Sequence, residues 1–225
     1  VEPYLAACGV EPGRLRIARF VEPVIAEADV DPECRAAWDV ASRLLEDLGH
    51  EVVDVKVPVP LEAVPVFETC WAVLTALTPV PPGSRGALRP LTRWLMERGD
   101  AVSAPDFGRT LAELRRIAAR ALTALAPYDA VLTPTLAQPP LPVGAIRDDA
   151  DPARDFENQK RFTPYTSTWN ITGMPAVSLP LHTTPAGLPV GVMLAGRPGE
   201  DALLFRLAAQ VEQAVPWADR HPACW

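Results

Sequence analysis

A chain of 225 residues with 48% hydrophobic and 22% charged side chains has the composition of a soluble globular protein, with enough apolar material for one large domain or two small ones. Its formal net charge of -7 excludes the basic surface that neutralising phosphates requires, so no nucleic acid partner is expected. It also leaves no polybasic patch for an anionic membrane.

No apolar run reaches the length of a membrane helix, and the opening "VEPYLAACGV" lacks a basic segment followed by an apolar core. The expected location is therefore cytoplasmic, with no membrane partner. The first residue is Val rather than Met, as expected of a processed product or a fragment. Cys8, Cys34, Cys70 and Cys224 are widely spaced and form no C-x-x-C. They suggest neither a zinc site nor a disulfide framework, and read as free thiols in a reducing compartment. The only lysines are Lys56 and Lys160, whereas Arg, Ala and Pro run high together, a bias of genome composition. The 26 prolines cluster in connectors such as "PVPPGSRG" and "AQPPLPVG" and imply rigid, irregular loops.

In chain order, "GRLRIARF" (13–20) reads as a short strand, with Leu15 and Ile17 alternating with arginines. Asp31 is placed to cap a helix that has Pro32 in its first turn and the acidic Glu33 near the positive dipole end. Ala37, Val40, Ala41, Leu44, Leu45 and Leu48 recur at helical spacing, and Gly49 is placed to end the helix in a left-handed cap. "EVVDVKV" alternates Val53, Val55 and Val57 on one face, which completes a strand–helix–strand unit of the kind that pairs in parallel. Residues 61–77 predict an apolar helix interrupted early by Pro65, and residues 88–98 a short helix. The clearest helix follows Ser103, a capping candidate. Its apolar stripe is Leu111, Leu114, Ile117, Ala118, Ala121 and Leu122, and its arginines make a solvated face.

"YDAVLTPT" (128–135) predicts a buried strand ended by Pro134. A long Pro-rich, acidic loop follows over 136–159. A helix near 164–172, the strand "PAVSLPL", a Gly turn and the strand "VGVMLAG" come next, and an amphipathic helix closes the chain. The alternation of helices and strands predicts an α/β fold, and the final hairpin makes its sheet mixed, flanked by helices.

No phosphate-cradling glycine loop is present: "GRPGED" lacks the lysine and the spacing. A G-x-S-x-G elbow is also missing. His50, His182 and His221 sit in contexts that suggest no common site, and no metal is expected. Asp148, Asp149 and Asp151 read as a solvated acidic loop. Cys70 beside Trp71 reads as a small core residue or as a pocket thiol. Thr163, Tyr165, Thr166, Ser167 and Thr168 precede Trp169 and Asn170. Those hydroxyls either cap a helix start or face a polar ligand. Ser167 and Ser178 have no base in local sequence to activate them.

The order of these pieces resembles the amidase signature family. "YDAVLTPTLAQPPLPVG" is similar to the family's strand and Pro-rich loop beside the active site. "FTPYTSTWNITGMPAVSLPLHTTPAGLPVGVMLAGRPGEDALLFRLAAQVEQA" is similar to its C-terminal segment: an Asn-x-Thr-Gly-x-Pro-Ala turn, a Ser-x-Pro strand, then Gly-Leu-Pro-x-Gly and a closing helix. "GRLRIA" and "DPECRAAWDVASRLLEDLGHEV" resemble the strand–helix–strand in the middle of such enzymes. Within the family, the resemblance points to bacterial amidases that include enzymes acting on linear or cyclic nylon-type oligomers.

The resemblance implies amide hydrolysis without metal or cofactor. A lysine and a serine held by a cis peptide activate a second, nucleophilic serine, and backbone amides form the oxyanion hole. In the family those residues come from a Gly/Ser-rich signature and an upstream lysine in the N-terminal half. This chain has no Gly-Gly-Ser-Ser-like run, and neither Lys56 nor Lys160 lies in the matching place. No catalytic residue is therefore carried over, and the chain by itself is expected to be inactive.

The expectation is the C-terminal part of an amidase domain over 1–225, with a strand–helix–strand unit at 13–60, a helical segment at 61–127, and sheet completion with a closing helix at 128–225. It would supply one wall of the pocket for a small-molecule amide. Phe162, Thr163, Trp169 and Asn170 from the C-terminal segment, and Phe67 and Trp71 from the apolar helix, are the substrate-binding candidates. The partner expected is the N-terminal half, in cis or in trans, and self-association into a homo-oligomer is left open. The alternative is a non-catalytic binding or interaction module built on the same fold.

Overall fold

The computed structural model describes residues 3–221. Local signals set most of the element boundaries. Strand β1 is Arg16–Arg19. Helix α2, Pro32–Asp47, starts where the Asp31 carboxylate accepts a 2.8 Å hydrogen bond from the Glu33 amide, and Pro32 fills a position whose missing N–H costs nothing. Gly49, at φ +92°, turns the chain out of it. Before β1, a single turn α1, Tyr4–Ala7, that the sequence did not predict stacks Tyr4 on Phe205 at 4.8 Å.

Strand β2 is only Glu51–Asp54, shorter than the predicted alternation. Val55 still donates to the Arg19 carbonyl at 3.0 Å. Beyond it Val55 and Val57 pack, half-buried, against the core, because Pro58 and Pro60 cannot continue a ladder. Residues 61–77 are not one interrupted helix. A 3-10 turn, Leu61–Ala63, leads into α3, Val64–Ala76, and Pro65 lies in the first turn of α3, where it starts the helix rather than breaking it. Helices α4, Pro90–Asp100, and α5, Ala104–Leu125, follow, with the Ser103 hydroxyl accepting from the Asp106 amide at 3.2 Å.

Strand β3, Ala130–Pro134, is buried at every residue. The predicted 136–159 loop is instead cut by α6, Pro152–Phe162. Its start repeats the Asp-Pro signal of α2: Asp151 accepts from the Arg154 amide at 3.1 Å. Helix α7, Thr166–Thr172, ends at Gly173 with φ +69°. Strands β4, Ala176–Thr183, and β5, Pro189–Gly196, form the expected hairpin, and α8, Asp201–Ala214, closes the fold.

The sheet order is β2-β1-β3-β5-β4. Strand β1 pairs in parallel with β2 and β3, and β5 runs antiparallel between β3 and β4. The fold is thus the expected mixed α/β sheet flanked by helices. On one face, Ile17, Ala130, Leu132 and Val192 meet Ala37, Ala41 and Leu45 of α2 and Leu204, Leu207 and Val211 of α8. On the other, Ala18, Val131, Met193 and Ala195 meet Phe67 of α3, Ile117, Ala121 and Leu125 of α5 and Trp169 of α7. His50, fully enclosed, ties the first layer: the Leu15 amide donates to its Nδ1 at 3.1 Å, which leaves Nε2 to donate to Gln210 Oε1 at 2.8 Å. Among the described residues no helix is long and apolar enough to cross a membrane.

A smaller cluster of Ala72, Leu91, Leu95 and Phe156 joins α3, α4 and α6 outside the main layers. It depends on a close approach at Gly99: a Cβ there would sit 2.2 Å from the Ala72 carbonyl oxygen. Helix propensity alone would make Gly99→Ala stabilising by about 1 kcal/mol. The clash is with backbone and cannot rotate away, so the expected result is destabilisation of about 1–3 kcal/mol. A lower urea midpoint in equilibrium unfolding would show it, and a higher one would mean that α3 and α4 are not this close.

Candidate functional site

Helix α3, "VPVFETCWAVLTA", is apolar nearly all round, so no single core can absorb it. Phe67 and Cys70 turn to the interior, and Ala72 packs against α4. The remaining face leaves Trp71 44% and Leu74 62% exposed. Leu114 of α5 and Asn170 and Ile171 of α7 stand opposite that face across a cavity of about 530 Å³. This volume lies in the range that holds small ligands. Its walls are mainly apolar, with Thr75, Thr78 and Asn170 supplying polar groups. Phe67 and Trp71 meet edge-to-face at 5.2 Å, and Trp71 meets Phe156 of α6 at 5.9 Å, which fixes the aromatic wall.

The six residues singled out in sequence divide. Phe67, Trp71 and Asn170 line this one cavity. Trp169, next to Asn170, is buried in the core at 6.4 Å from the Phe20 ring, and its Nε1 has no hydrogen-bond partner among the described residues. Phe162 lines a separate cavity of about 450 Å³ with Leu141, Val143 and Arg147. Thr163 caps α6: its amide and its Oγ1 both donate to the Gln159 carbonyl, at 2.9 and 3.1 Å. Cys70 satisfies both of its sequence readings, since it is buried and also lines the cavity. Burial raises its pKa, so the thiol stays neutral.

The hydroxyl groups do not assemble a nucleophile. Ser167 Oγ and Thr168 Oγ1 are buried without a hydrogen-bond partner among the described residues. Ser178 Oγ shares a 2.7 Å hydrogen bond with Thr135 Oγ1. In the acidic segment, Asp149 pairs with Arg89 at 2.9 Å, Asp148 accepts from the amides of Ala150 and Asp151, and Asp151 caps α6. His182 Nε2 lies 2.6 Å from Glu33 Oε2. It lines a cavity of about 520 Å³ together with His221, an arrangement their sequence contexts did not suggest; His50 lies elsewhere, between β1 and α8. Among the described residues no group of three or more His, Cys, Asp or Glu is placed to hold a metal ion. Cys224 lies outside the described residues.

Sequence reading missed the ionic support behind the aromatic wall. Lys160 of α6 is buried and reaches Glu68 of α3 at 2.6 Å and Glu157 at 2.7 Å. Burial opposes its charge, but hydrogen bonds to Glu157 and Glu68 outweigh that and hold its pKa above the usual lysine value. Burial likewise raises Glu157, and hydrogen bonds from Lys160 and Arg161 more than offset it, so its pKa is lowered. The available signal was the helical spacing of Glu157 to Lys160 and Arg161.

Lys160→Met is expected to cost about 1–3 kcal/mol, because Glu68 and Glu157 lose their shortest ion pair and keep only Arg98 at 3.8 Å and Arg161 at 3.2 Å. Glu157 has a depressed folded-state pKa. Its contribution is therefore complete above the unfolded value of about 4.3 and is lost as pH falls through the folded one. Thermal unfolding of wild type and Lys160→Met should therefore differ clearly at pH 7 and converge toward pH 3. A gap independent of pH would remove Glu157 from this role.

The family model described as Amidase matches residues 2–205. A Mycobacterium tuberculosis protein that carries the amidase name AmiC is 35% identical over 216 residues, which are 92% of this chain and 45% of that protein. The 6-aminohexanoate-cyclic-dimer hydrolase of Pseudomonas sp. is 28% identical over 239 residues, 98% of this chain and 48% of that enzyme. The solved structure of a 6-aminohexanoate cyclic dimer hydrolase superposes with a TM-score of 0.84 at 24% identity, covering 99% of this chain and 49% of that one. A bacterial aryl acylamidase of the amidase signature family superposes with a TM-score of 0.68 at 19% identity. The chain spans about half the length of the curated relatives it matches.

Proposed function

The chain belongs to the amidase family, and on that premise we propose that it is the C-terminal part of an amidase that hydrolyses carboxylic amides to acid plus amine or ammonia. The observation that carries the substrate side is the cavity between α3, α5 and α7, where Phe67, Trp71 and Asn170 converge. Its mainly apolar walls suit the organic group of an amide, and Asn170 offers a hydrogen-bonding group at the rim.

The catalytic serine, the serine on a cis peptide and the lysine belong, on this reading, to the N-terminal half of the enzyme. The lysine and the cis-held serine take the proton of the nucleophilic serine. That serine adds to the amide carbonyl, the amine leaves with a proton, and water then releases the acid from the acyl-enzyme. The sheet edges agree with a second half. The outer strand β2 carries Glu51 and Asp54, paired with Arg16 and Arg19, and such charges blunt an edge. The other outer strand, β4, has no Asp, Glu, Lys or Arg from Ala176 to Thr183, and exposes Ala176 and Ser178. Its stretch before Pro180, residues 176–179, is suited to pairing with a further strand.

Two assays test the proposal. The 225-residue chain alone should not hydrolyse amides, and joined to an amidase N-terminal half it should. In the joined enzyme, Trp71→Ala and Asn170→Ala are expected to raise KM about tenfold with a smaller effect on kcat, the pattern of lost ground-state binding. Amide hydrolysis by the chain alone, abolished by Ser167→Ala or Ser178→Ala, would overturn the reading. A folded joined chain without activity would favour a non-catalytic binding module.

A further inference from the structure

The parallel strands β1 and β3 lie side by side, and the helices that follow them, α2 and α7, pack on opposite faces of the sheet. After β1, residues 20–31 lead to α2 on one face. After β3, the chain leads through α6 to Tyr165 and α7 on the other. Loops that part above neighbouring parallel strands leave a crevice, and in open α/β sheets ligands bind there. A cavity of about 560 Å³ occupies that place in this molecule. Pro23, Ala26, Glu27 and Asp29 of the first loop, Gln138 of the second and Arg161 at the end of α6 form its walls.

The floor of the crevice is firmly tied. The Asp31 amide donates to the Ala137 carbonyl at 2.8 Å, the Ala137 amide to the Phe162 carbonyl at 3.1 Å, and the Tyr165 hydroxyl to the Val21 carbonyl at 2.6 Å. Val24, Ile25 and Ala26 anchor the first loop in the core. The charges on the walls, by contrast, are largely uncommitted. Among the described residues neither the Glu27 nor the Asp29 carboxylate has a hydrogen-bond or ion-pair partner. Arg161 uses Nε on Glu157 at 3.2 Å, which leaves its two terminal amino groups available. Gln138 adds a half-buried amide.

A cavity with exposed carboxylates on one wall, and exposed guanidinium donors with an amide on others, is matched by a ligand that carries both signs. We propose that this cavity binds a small zwitterionic amino acid, its ammonium group toward Glu27 and Asp29 and its carboxylate toward Arg161 and Gln138. The proposal stands apart from amide hydrolysis and does not rest on it.

The test titrates 5-aminopentanoate, pentanoate and pentylamine into the 225-residue chain, and into the same chain joined to an amidase N-terminal half, by calorimetry and amide chemical shifts. The zwitterion should bind saturably and about tenfold more tightly than either singly charged probe. Arg161→Gln should erase its advantage over pentylamine, and Glu27→Gln with Asp29→Asn its advantage over pentanoate. Trp71→Ala should leave all three unchanged. Equal affinities for the three probes, an advantage that survives these substitutions, or no saturable binding to either form would overturn the proposal. Amide hydrolysis that persists in the joined Arg161→Gln chain would then leave the amidase reading standing.

Discussion

Strand β3 is buried on both faces and hydrogen-bonded along both edges, and the placement of every other layer follows from covering it. Ala130 and Leu132 fill the core beneath α2 and α8, while Val131 fills the core beneath α3, α5 and α7. A strand with no solvent-facing side requires helices above and below. Its two edges are satisfied differently. Parallel pairing to β1 demands long connections that carry the helices across the sheet. On the other edge β3 pairs antiparallel with β5, whose own antiparallel partner β4 joins it through a short hairpin. The parallel half of the sheet therefore opens into a crevice at its carboxyl end, and the antiparallel half does not.

The second organising feature is the pair of helices α4 and α6 that packs on the outer side of α3. Its core is small, with four buried residues. Edge-to-face rings, the Gly99 approach and the Lys160 ion pairs make up for that. Phe156 is the shared member: it contacts Trp71, Trp94 and the Lys160 ammonium, at 5.9, 6.1 and 5.5 Å. Removing charge at Lys160 thus acts on the same assembly that orients Trp71 at the cavity wall. Stability and the shape of the candidate site are coupled through this cluster rather than through the sheet.

Legibility in the sequence followed the range of the interactions. Asp31 with Pro32, Gly49, Ser103 and the buried run of β3 act within a few residues of themselves, and the structure has them in the predicted roles. Helix α6 carries the same Asp-Pro start, yet its apolar stripe is absent because it buries Asp155 and Lys160. Those burials are offset by Arg147 at 3.2 Å and Gln159 at 2.6 Å on Asp155, and on Lys160 by Glu157 and by Glu68, 92 residues away in sequence. The candidate site was legible in the same partial way. Phe67 and Trp71, four apart on α3, share a face by helical geometry alone. Trp169 and Asn170 are adjacent, so one helix turns them to different surroundings, and the sequence has no means to say which faces the cavity.

The sequence by itself determined the alternation of helices and strands, the mixed sheet, most caps, and the resemblance that led to the amidase family, because these rest on spacing and on turn chemistry that neighbouring residues set. The tertiary structure alone decided which face of α3 meets α5 and α7, where α6 docks, and that the loops after β1 and β3 part over a cavity. Those outcomes depend on burial shared among segments far apart in the chain. The free energy of such contacts belongs to pairs of surfaces, and no single segment carries it.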